Sequence, residues 1–525
     1  MKRKAILHAH PGSGRSPSCE VTKMYNRIRS AAVFGLDILP ITVEADISDG
    51  LPCFVMVGYL SAQIRESEDR IRTAFRNSGI TLPARRITVN LSPADVPKSG
   101  SLYDLPIALT VIAAAGQIPA SSLDGLMAVG ELSLNGGVNP ISGVLPIAIR
   151  ARKEGLRALI VPSGNTREAL SVDGITVVGV KTIHEAVEYL RNGTAPPLPE
   201  EKDSGDEEGT APDFRDIRGQ SFARRAALIA AAGFHNLLLA GPPGSGKTMI
   251  ARRVPSILPR LTGDEQLEIE QIYSIAGLLD PEHPVIRRRP YRHPHHTISP
   301  QALAGGGKIP RPGEITLAHR GVLFLDEMPE FSRQALEILR QPLEDREIVI
   351  SRATGSFRFP ASFLLLAAMN RCPCGYYPDL SRCTCTQADI RSYMGRISKP
   401  LLDRIDLCIE LSPVSYDDLT ARSPDGESSS SMRKRAETVR LIQADRFASV
   451  SWHFNSEIPA GRIPEFCVTD EQAERILSSS FRRFALSARG YHRVLRVART
   501  IADLDGSDVI LGRHAEEALV YRMLS

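Results

Sequence analysis

The chain has 525 residues, of which 42% are hydrophobic and 24% are charged, enough for a sizeable core and for roughly three to four domains. No apolar run reaches the roughly 18 residues that span a bilayer, and eight cysteines are too few for a disulfide scaffold. These features predict a cytoplasmic protein. The net charge of +4 is compatible with nucleic acid as a partner without indicating it.

Before residue 194, short apolar runs alternate with helical patterns. The predicted strands are 41–45, 54–57, 87–91 and 158–161, and the predicted helices are 62–78, 104–115 and 183–191. This alternation predicts an α/β domain over residues 24–193, preceded by an N-terminal extension at 1–23. Residues 194–213 are rich in proline, glycine and acidic side chains and therefore predict an exposed linker.

The segment 237–252 carries a phosphate-binding signature. An apolar strand, 237–240, runs into GPPGSGKT and then into a helical segment, which is the context that this motif requires. Backbone N–H groups of the loop would surround phosphate oxygens, the lysine would face the β- and γ-phosphates, and the threonine would offer a hydroxyl to Mg²⁺. The predicted nucleotide contacts are Gly241, Pro242, Pro243, Gly244, Ser245, Gly246, Lys247 and Thr248.

Two further apolar strands end in polar residues. Asp326 and Glu327 follow the run 321–325, where Asp326 would hold Mg²⁺ and Glu327 would polarise the attacking water. Asn370 follows the run 363–369 and could position the same water. Together with the loop, these strand ends predict an ATPase that uses ATP and Mg²⁺.

These motifs resemble the AAA+ ATPases and, within them, the magnesium-chelatase-like YifB/ComM family. The resemblance covers 25–197 and 214–525. It implies an AAA+ core at 214–421 with Gln220 near the adenine, a polar stretch at 422–431 and a helical lid domain at 432–525. It also implies a homo-oligomeric ring, expected to be a hexamer. In the lid, Thr469 and Gln472 predict a capping box.

The resemblance also assigns roles to arginines. The segment PLLDRID at 400–406 resembles the trans-acting finger of chelatase-type motors, which implies that Arg404 reaches the γ-phosphate held by a neighbouring subunit. The segment LSAR at 486–489 resembles the sensor-2 element. It assigns Arg489 to the catalytic set, with Arg493 as the competing choice.

A first insert between the nucleotide motifs, 287–313, resembles the pore-facing insert of chelatase-like motors. It contains three consecutive arginines, histidines at 293, 295 and 296, and a glycine-rich loop with Lys308 and Arg311. The two cationic residues are candidates for phosphate contact, and a plain surface loop is the alternative. The histidines could be metal ligands, although no acid or cysteine lies close by in sequence.

A second insert, 347–360, predicts a β-hairpin that turns at Thr354-Gly355. Arg352, Arg358 and the neighbouring phenylalanines would suit contact with a DNA strand, because sequence-independent binding uses charge and flat stacking surfaces. The alternative is a packed hairpin whose arginines are merely solvated.

Two C-x-C pairs lie on a loop after Asn370. Four thiolates can bind Zn²⁺ tetrahedrally and leave no position open for water, so the predicted site is structural. Packed, reduced thiols are the alternative. The four residues, within the loop 372–385, are Cys372, Cys374, Cys383 and Cys385.

Segments 98–102 and 130–145 resemble the Lon-type protease fold, in which a lysine activates a serine nucleophile. Leu102 and Leu145 stand where the resemblance places these two residues, and neither leucine can attack or accept a proton. Ser101 is one position away and Lys98 lies at the other end of the pattern. We therefore expect a Lon-protease-like (S5-type) α/β domain without the Ser-Lys dyad.

The resemblance implies an ATP-driven, ring-forming DNA motor, a ComM-like branch-migration helicase that acts in recombination during natural transformation. Two alternatives stay open: a magnesium-chelatase-type motor subunit and an ATP-dependent protein-remodelling factor. Stimulation of the ATPase by DNA would separate the first function from the other two.

Overall fold

The computed structural model of the protein describes residues 25–198, 212–307, 310–352, 355–414, 416, 426–484 and 486–522. The predicted extension 1–23, most of the linker, Lys308 and Thr354 lie outside these ranges. Two compact units divide the chain. Unit 1 consists of Met1–Ser30, Ile41–Val138 and Lys181–Ala195, and unit 2 consists of Ala31–Pro40, Asn139–Val180 and Pro196–Ser525.

The first elements are β1 (Tyr25–Phe34), β2 (Asp37–Ser48), β3 (Cys53–Val57), α1 (Ala62–Arg65), α2 (Ser67–Asn77), β4 (Arg86–Ser92), α3 (Asp104–Ala114), β5 (Leu126–Ala128), β6 (Glu131–Leu132) and β7 (Val138–Asn139). Five of these strands are neighbours in a mixed sheet, in the order β3-β4-β2-β1-β5. β2 and β4 are antiparallel, and the pairs β3/β4 and β1/β5 are parallel. Helix α3 is mostly apolar and every residue in it is buried, so it lies within this unit's core.

The next elements are α4 (Val144–Lys153), β8 (Ala158–Pro162), α5 (Thr166–Leu170), β9 (Thr176–Val180) and α6 (Ile183–Asn192). β8 and β9 pair in parallel within unit 2. The predicted strand 158–161 and the predicted helices 104–115 and 183–191 agree with β8, α3 and α6 to within one residue at each end.

The ATPase-like part of unit 2 contains α7 (Ser221–Gly233), β10 (Leu237–Ala240), α8 (Lys247–Ile257), α9 (Gly263–Ala276), β11 (Tyr291–Arg292), α10 (Pro300–Ala304), β12 (Gly305–Gly306), β13 (Arg311–Pro312), α11 (Glu314–Leu317), β14 (Val322–Leu325), α12 (Arg333–Ile338), α13 (Pro342–Asp345), β15 (Glu347–Arg352), β16 (Gly355–Pro360), β17 (Leu364–Met369), α14 (Gln387–Met394), α15 (Lys399–Leu402) and β18 (Leu407–Glu410). Five of these strands form a parallel sheet in the order β11-β14-β17-β10-β18. Because the strands run the same way, the residues that follow β10, β14, β17 and β18 meet at one edge.

Both faces of this sheet are covered. Leu237, Leu239 and Phe324 pack with the small side chains of α7 and with α8 on one face. Leu238 and Leu323 point to the other face and pack with α12 and the β15–β16 hairpin. Continuous apolar strands are what a parallel sheet buried on both faces requires.

The chain ends in helices α16 (Ser429–Arg446), α17 (Ile463–Phe466), α18 (Glu471–Arg483), α19 (Ala488–Leu504) and α20 (Gly512–Val520), which share the core of α7 and α8. This part is helical, in agreement with the helical lid expected there. Within the described ranges, every helix is too short or too polar to span a bilayer.

Two local predictions are wrong. The helix predicted over 62–78 is divided at Glu66 into α1 and α2. The predicted capping box of Thr469 and Gln472 does not form, because the side chain of Asp470 accepts the Ala473 N–H at 2.6 Å and caps α18 one residue later. A carboxylate is the stronger acceptor at the positive end of a helix.

Candidate active site

The phosphate-binding loop joins β10 to α8 at the carboxyl edge of the parallel sheet. Gly244 and Gly246 have φ angles of +78° and +90°, a backbone region that favours glycine, and open space surrounds the position of a Cβ on each. Helix α8 begins at Lys247, so the loop lies at the positive end of an 11-residue helix. This geometry offers backbone N–H groups and space for the phosphates of a nucleotide.

Lys247 lies across this loop. Its Nζ donates to the carbonyl oxygens of Gly241 and Pro242 at 2.8 Å each, and to Oδ1 of Asn370 at 3.1 Å. Burial lowers the pKa of Lys247, while the charges of Asp326 and Glu327 oppose that shift. The structure therefore brings Lys247, predicted in the phosphate-binding loop, and Asn370, predicted at the end of a separate strand, into direct contact. All three acceptors are neutral, so a phosphate oxygen would be a stronger partner for the ammonium group.

The two predicted Mg²⁺ ligands are also in contact. Thr248 Oγ1 donates to Asp326 Oδ2 at 2.8 Å, which places one hydroxyl and one carboxylate at the same point beside the loop. Mg²⁺ is commonly held by one or two protein oxygens together with phosphate oxygens and water, so these residues fit the ion. When bound, Mg²⁺ would neutralise part of the phosphate charge.

Glu327 has an unusual backbone. Its φ of +50° lies in the left-handed region, which a non-glycine residue rarely adopts and which is common at functional sites. Its carboxylate is exposed, and Oε2 lies 3.7 Å from Nδ1 of His296. The sequence pattern indicated this histidine only as a possible metal ligand and did not predict its contact with Glu327.

Gln220 links two segments at this edge. Its Nε2 donates to the carbonyl oxygen of Ser412, just after β18, at 2.7 Å and to that of Ser245 at 3.4 Å. The residue predicted to lie near the adenine thus braces the phosphate-binding loop. Nearby, Arg371 pairs with Glu410 at 2.9 Å, a contact that the sequence did not predict.

Arg404 lies at the opposite edge of the sheet. It precedes β18, whose start pairs with the start of β10. The phosphate-binding loop follows the other end of β10, and a four-residue strand spans roughly 10 Å. The Arg404 side chain is 9% exposed, pairs with Glu344 and donates to the Pro400 carbonyl at 2.8 Å. Arg404 therefore lies away from the phosphate-binding loop of its own chain.

Glu344 also binds the second predicted arginine. Arg489 Nη2 lies 3.0 Å from Glu344 Oε1, so both arginines share one carboxylate. Burial alone would raise the pKa of Glu344, but the Arg404 and Arg489 charges outweigh it and lower that pKa. The competing residue, Arg493, lies 3.7 Å from the buried Asp406. The sequence motifs did not predict a role for Glu344, which lies between the two inserts.

The four predicted zinc ligands converge. Their Sγ atoms all lie within 4.8 Å of one another. The distances from Cys372 to Cys374 and Cys383 are 3.4 Å and 3.8 Å, and Cys374 and Cys383 are 3.6 Å apart. Four tetrahedral Zn–S bonds of about 2.3 Å would place the sulfurs about 3.8 Å apart, so the cluster fits Zn²⁺.

The cysteine loop touches the phosphate-binding loop. Gly375 has a φ of +85°, and a Cβ at that position would lie 2.7 Å from both Cγ and Cδ of Pro243. Backbone contact this close needs glycine. The loop that carries the thiols therefore supports the loop that would hold the phosphates.

We expect Gly375→Ala to raise the KM for ATP about 5- to 30-fold, because overpacking of about 1–2 kcal/mol would displace Pro243. Gly506→Ala is the matched control: its φ is +66°, but nothing lies within 4 Å of its Cβ position. Steady-state ATPase assays of both variants check the prediction. Equal KM values would show that backbone strain, and not the Pro243 contact, accounts for any effect.

The two candidate DNA-binding inserts lie side by side. Arg352 Nε donates to the Gly307 carbonyl at 3.4 Å, which joins the β15–β16 hairpin to the β12–β13 hairpin. Arg311 and Arg352 are exposed, and Arg358 is 73% exposed beside Glu347. The structure thus places three predicted phosphate contacts on neighbouring hairpins.

The prediction for the phenylalanines of this hairpin is wrong. Phe357 and Phe359 are 3% and 0% exposed and belong to the core below the hairpin. The Phe357 ring stacks on Phe34 at 4.2 Å. Strand alternation explains the difference, because the phenylalanines and the arginine between them point to opposite faces. The rings are therefore not available to stack on bases.

Four residues in the N-terminal part of the chain correspond to, or lie near, the positions of the Ser-Lys dyad in the Lon-type protease fold. Leu102 and Leu145 are buried. Lys98 is 1% exposed and donates to a backbone carbonyl, and burial lowers its pKa. Ser101 donates to Glu131. The absence of a working dyad stays a prediction.

Comparison with known proteins places these features in a family. The family model described as magnesium chelatase, subunit ChlI, matches residues 213–419, that of subunit ChlI of Mg-chelatase matches 43–165, and that of the ChlI C-terminal region matches 426–522. Competence protein ComM of Haemophilus influenzae is 42% identical over 502 residues, 95% of this chain and 97% of that protein. The chain belongs to the YifB/ComM family of magnesium-chelatase-like AAA+ ATPases.

Other YifB/ComM relatives extend over the same region. YifB of Escherichia coli is 40% identical over 497 residues, 95% of this chain and 97% of that protein. An uncharacterised protein of Mycobacterium tuberculosis is 44% identical over 489 residues, 91% and 95% respectively. A partial match to Lon protease 2 of Bacillus subtilis, 32% identical over 126 residues, 24% and 22% respectively, supports the Lon-protease-like domain. Membership of this family implies that the protein uses ATP and Mg²⁺. Proteins of this family typically form oligomeric rings.

Proposed function

We propose that this YifB/ComM-family protein is a ring-forming motor that uses ATP hydrolysis to move DNA, as a branch-migration helicase in recombination during natural transformation. The observation that carries the DNA track is the pair of adjacent hairpins that present Arg311, Arg352 and Arg358. The similarity to a protein named competence protein ComM supports the biological setting.

In the proposed cycle, the loop 241–248 binds the phosphates of ATP, and Lys247 exchanges its carbonyl partners for phosphate oxygens. Thr248 and Asp326 would hold Mg²⁺. Glu327 accepts the proton of the attacking water, and Asn370 orients that water. The contact between Lys247 and Asn370 supports a shared role at the γ-phosphate, because it places the ammonium and amide groups beside each other next to the loop.

The remote position of Arg404 supports a role in trans. A ring would bring the finger of one subunit to the nucleotide of the next and so tie hydrolysis to assembly. We propose that Arg404 leaves Glu344 when this interface closes, and that Arg489, on the same carboxylate, approaches the same nucleotide. A hexamer is the expected assembly.

The test of the DNA track is the steady-state ATPase rate with and without single-stranded and forked DNA. We expect DNA to raise the ATPase rate of the parent protein clearly. For the Arg352→Gln/Arg358→Gln variant, we expect the rates with and without DNA to be equal. Arg475→Gln is the matched control, since Arg475 is a 79% exposed arginine on α18, beside Glu471. If DNA stimulated the double variant as strongly as the parent protein, these hairpins would not be the DNA-binding elements.

A second candidate is a magnesium-chelatase-type motor subunit, which the match over 213–419 favours. An ATPase that depends on Glu327 but is indifferent to every DNA structure would support this candidate or a protein-remodelling factor. Either function would use the same nucleotide site.

We propose that Cys372, Cys374, Cys383 and Cys385 bind a structural Zn²⁺. Elemental analysis of the purified protein should find about one zinc per chain. We expect Cys383→Ser/Cys385→Ser to lose this zinc and to lower the ATPase rate through the Gly375–Pro243 contact. Cys53→Ser, outside the cluster, should keep the metal. Zinc content equal in both variants would contradict the site.

A further inference from the structure

A cavity of about 790 Å³ lies between α8, α16 and the segment Arg287–Arg289, all within unit 2. Its size is in the range of sites for small ligands. None of the loop residues 241–248 lines it, so it is separate from the nucleotide site. Its charged lining residues are Arg252, Arg260, Arg287, Arg288, Arg289, Arg433 and Asp213.

Arg260, Arg287 and Arg288 have partners within the protein, and so do Arg289 and Asp213. Arg289 is buried and donates to the carbonyl oxygens of Pro259 and Arg320 at 2.6 Å and 2.7 Å, and it pairs with Glu265 at 2.7 Å. Asp213 accepts the backbone N–H groups of Arg215 and Ser429 at 2.7 Å and 3.0 Å. Arg289 therefore forms a wall of the cavity, and the carboxylate is largely satisfied by backbone.

The other five arginines give the cavity a strong positive charge. Arg252 on α8 and Arg433 on α16 form no hydrogen bond or ion pair with any residue that the structure describes. Tyr291 adds a buried hydroxyl that has no hydrogen-bond partner in the described part of the chain. Several guanidinium groups around one cavity repel each other, and an anion with several charges would relieve that repulsion.

We propose that this arginine cavity binds a compact polyphosphorylated anion: the phosphates of a nucleoside polyphosphate or adjacent phosphodiesters of a DNA strand. Guanidinium groups bind phosphate oxygens in bidentate fashion, which suits a lining of arginines without lysine. The side-chain amide of Gln266, which also lines the cavity, can donate to the same ligand. This inference does not depend on the proposed DNA motor.

The cavity touches both halves of the nucleotide site. Arg252 lies one helical turn after Thr248 on α8, and Tyr291 pairs with Val322, at the start of the strand that leads to Asp326. An anion in the cavity would therefore contact the helix that follows the phosphate-binding loop and a strand that pairs with the one leading to Asp326. We expect ligand binding there to change the ATPase rate.

The test uses the full chain in a Lys247→Ala background, which removes the ammonium group of the nucleotide site. The probes are sodium tripolyphosphate, followed by calorimetry, and a labelled oligothymidylate, followed by fluorescence anisotropy. Arg288→Gln/Arg433→Gln should weaken the binding of at least one probe by about tenfold or more, and more strongly at low salt. Arg475→Gln is the control. Arg287→Gln alone serves if the double variant does not fold.

Each outcome bears on the inference. Weakened tripolyphosphate binding alone identifies a small polyphosphate as the ligand, and weakened oligothymidylate binding identifies a DNA strand. Equal affinities of the cavity variants and the Arg475→Gln control for both probes would overturn the proposal. It would also be overturned if the Lys247→Ala protein bound neither probe.

Discussion

ATP turnover is expected to fall about 10²- to 10⁴-fold in a Glu327→Gln variant, while ATP binding is retained. The amide keeps the size and the hydrogen bonding of the side chain but cannot accept a proton from water. Phosphate binding depends on the loop 241–248, which the change leaves intact. Single-turnover hydrolysis and equilibrium binding of ATP, measured on the same preparation, separate the two effects.

Glu330→Gln is the matched control for this experiment. Glu330 is an acidic residue three positions later, partly exposed and paired with Arg396 at 2.8 Å. We expect that variant to keep the rate of the parent protein within about twofold, as for most exposed substitutions. If Glu327→Gln kept more than a tenth of the parent rate, another group would have to accept the proton.

The nucleotide site was accessible to sequence reasoning because its parts are local. The loop motif occupies eight consecutive residues. Asp326, Glu327 and Asn370 each follow an apolar run that predicts a strand. A parallel sheet then gathers strand ends at one edge without any further information. The observed contacts of Lys247 with Asn370 and of Thr248 with Asp326 are consistent with that rule.

Contacts between segments that are distant in sequence could not be predicted in the same way. Glu344 meets Arg404 and Arg489 because α13, α15 and α19 converge at the amino edge of the sheet, and no periodicity records that convergence. Three consecutive arginines at 287–289 look alike in sequence and all line one cavity, but Arg289 is buried in its wall whereas Arg287 and Arg288 are exposed. Side-chain direction, and not residue type, decides which of them can meet a ligand.

Arg404→Ala is expected to lower ATP turnover about 10³-fold or more, as for other arginines supplied across an interface. The position of Arg404, on the sheet edge opposite its own phosphate-binding loop, makes any catalytic effect intermolecular. Because its side chain is 9% exposed and pairs with Glu344, the substitution also removes a partly buried ion pair. A low rate alone would therefore not distinguish a lost finger from a damaged fold.

Mixing two inactive proteins resolves this ambiguity. An Arg404→Ala subunit keeps a complete nucleotide site but lacks the finger, whereas a Glu327→Gln subunit keeps the finger but lacks the base. In a mixed ring, an Arg404→Ala site that faces the Arg404 of a Glu327→Gln neighbour contains every group needed for hydrolysis. We expect the mixture to regain ATPase activity that neither variant shows alone. A misfolded subunit cannot complement its neighbour, and a finger acting within its own chain would leave the mixture inactive.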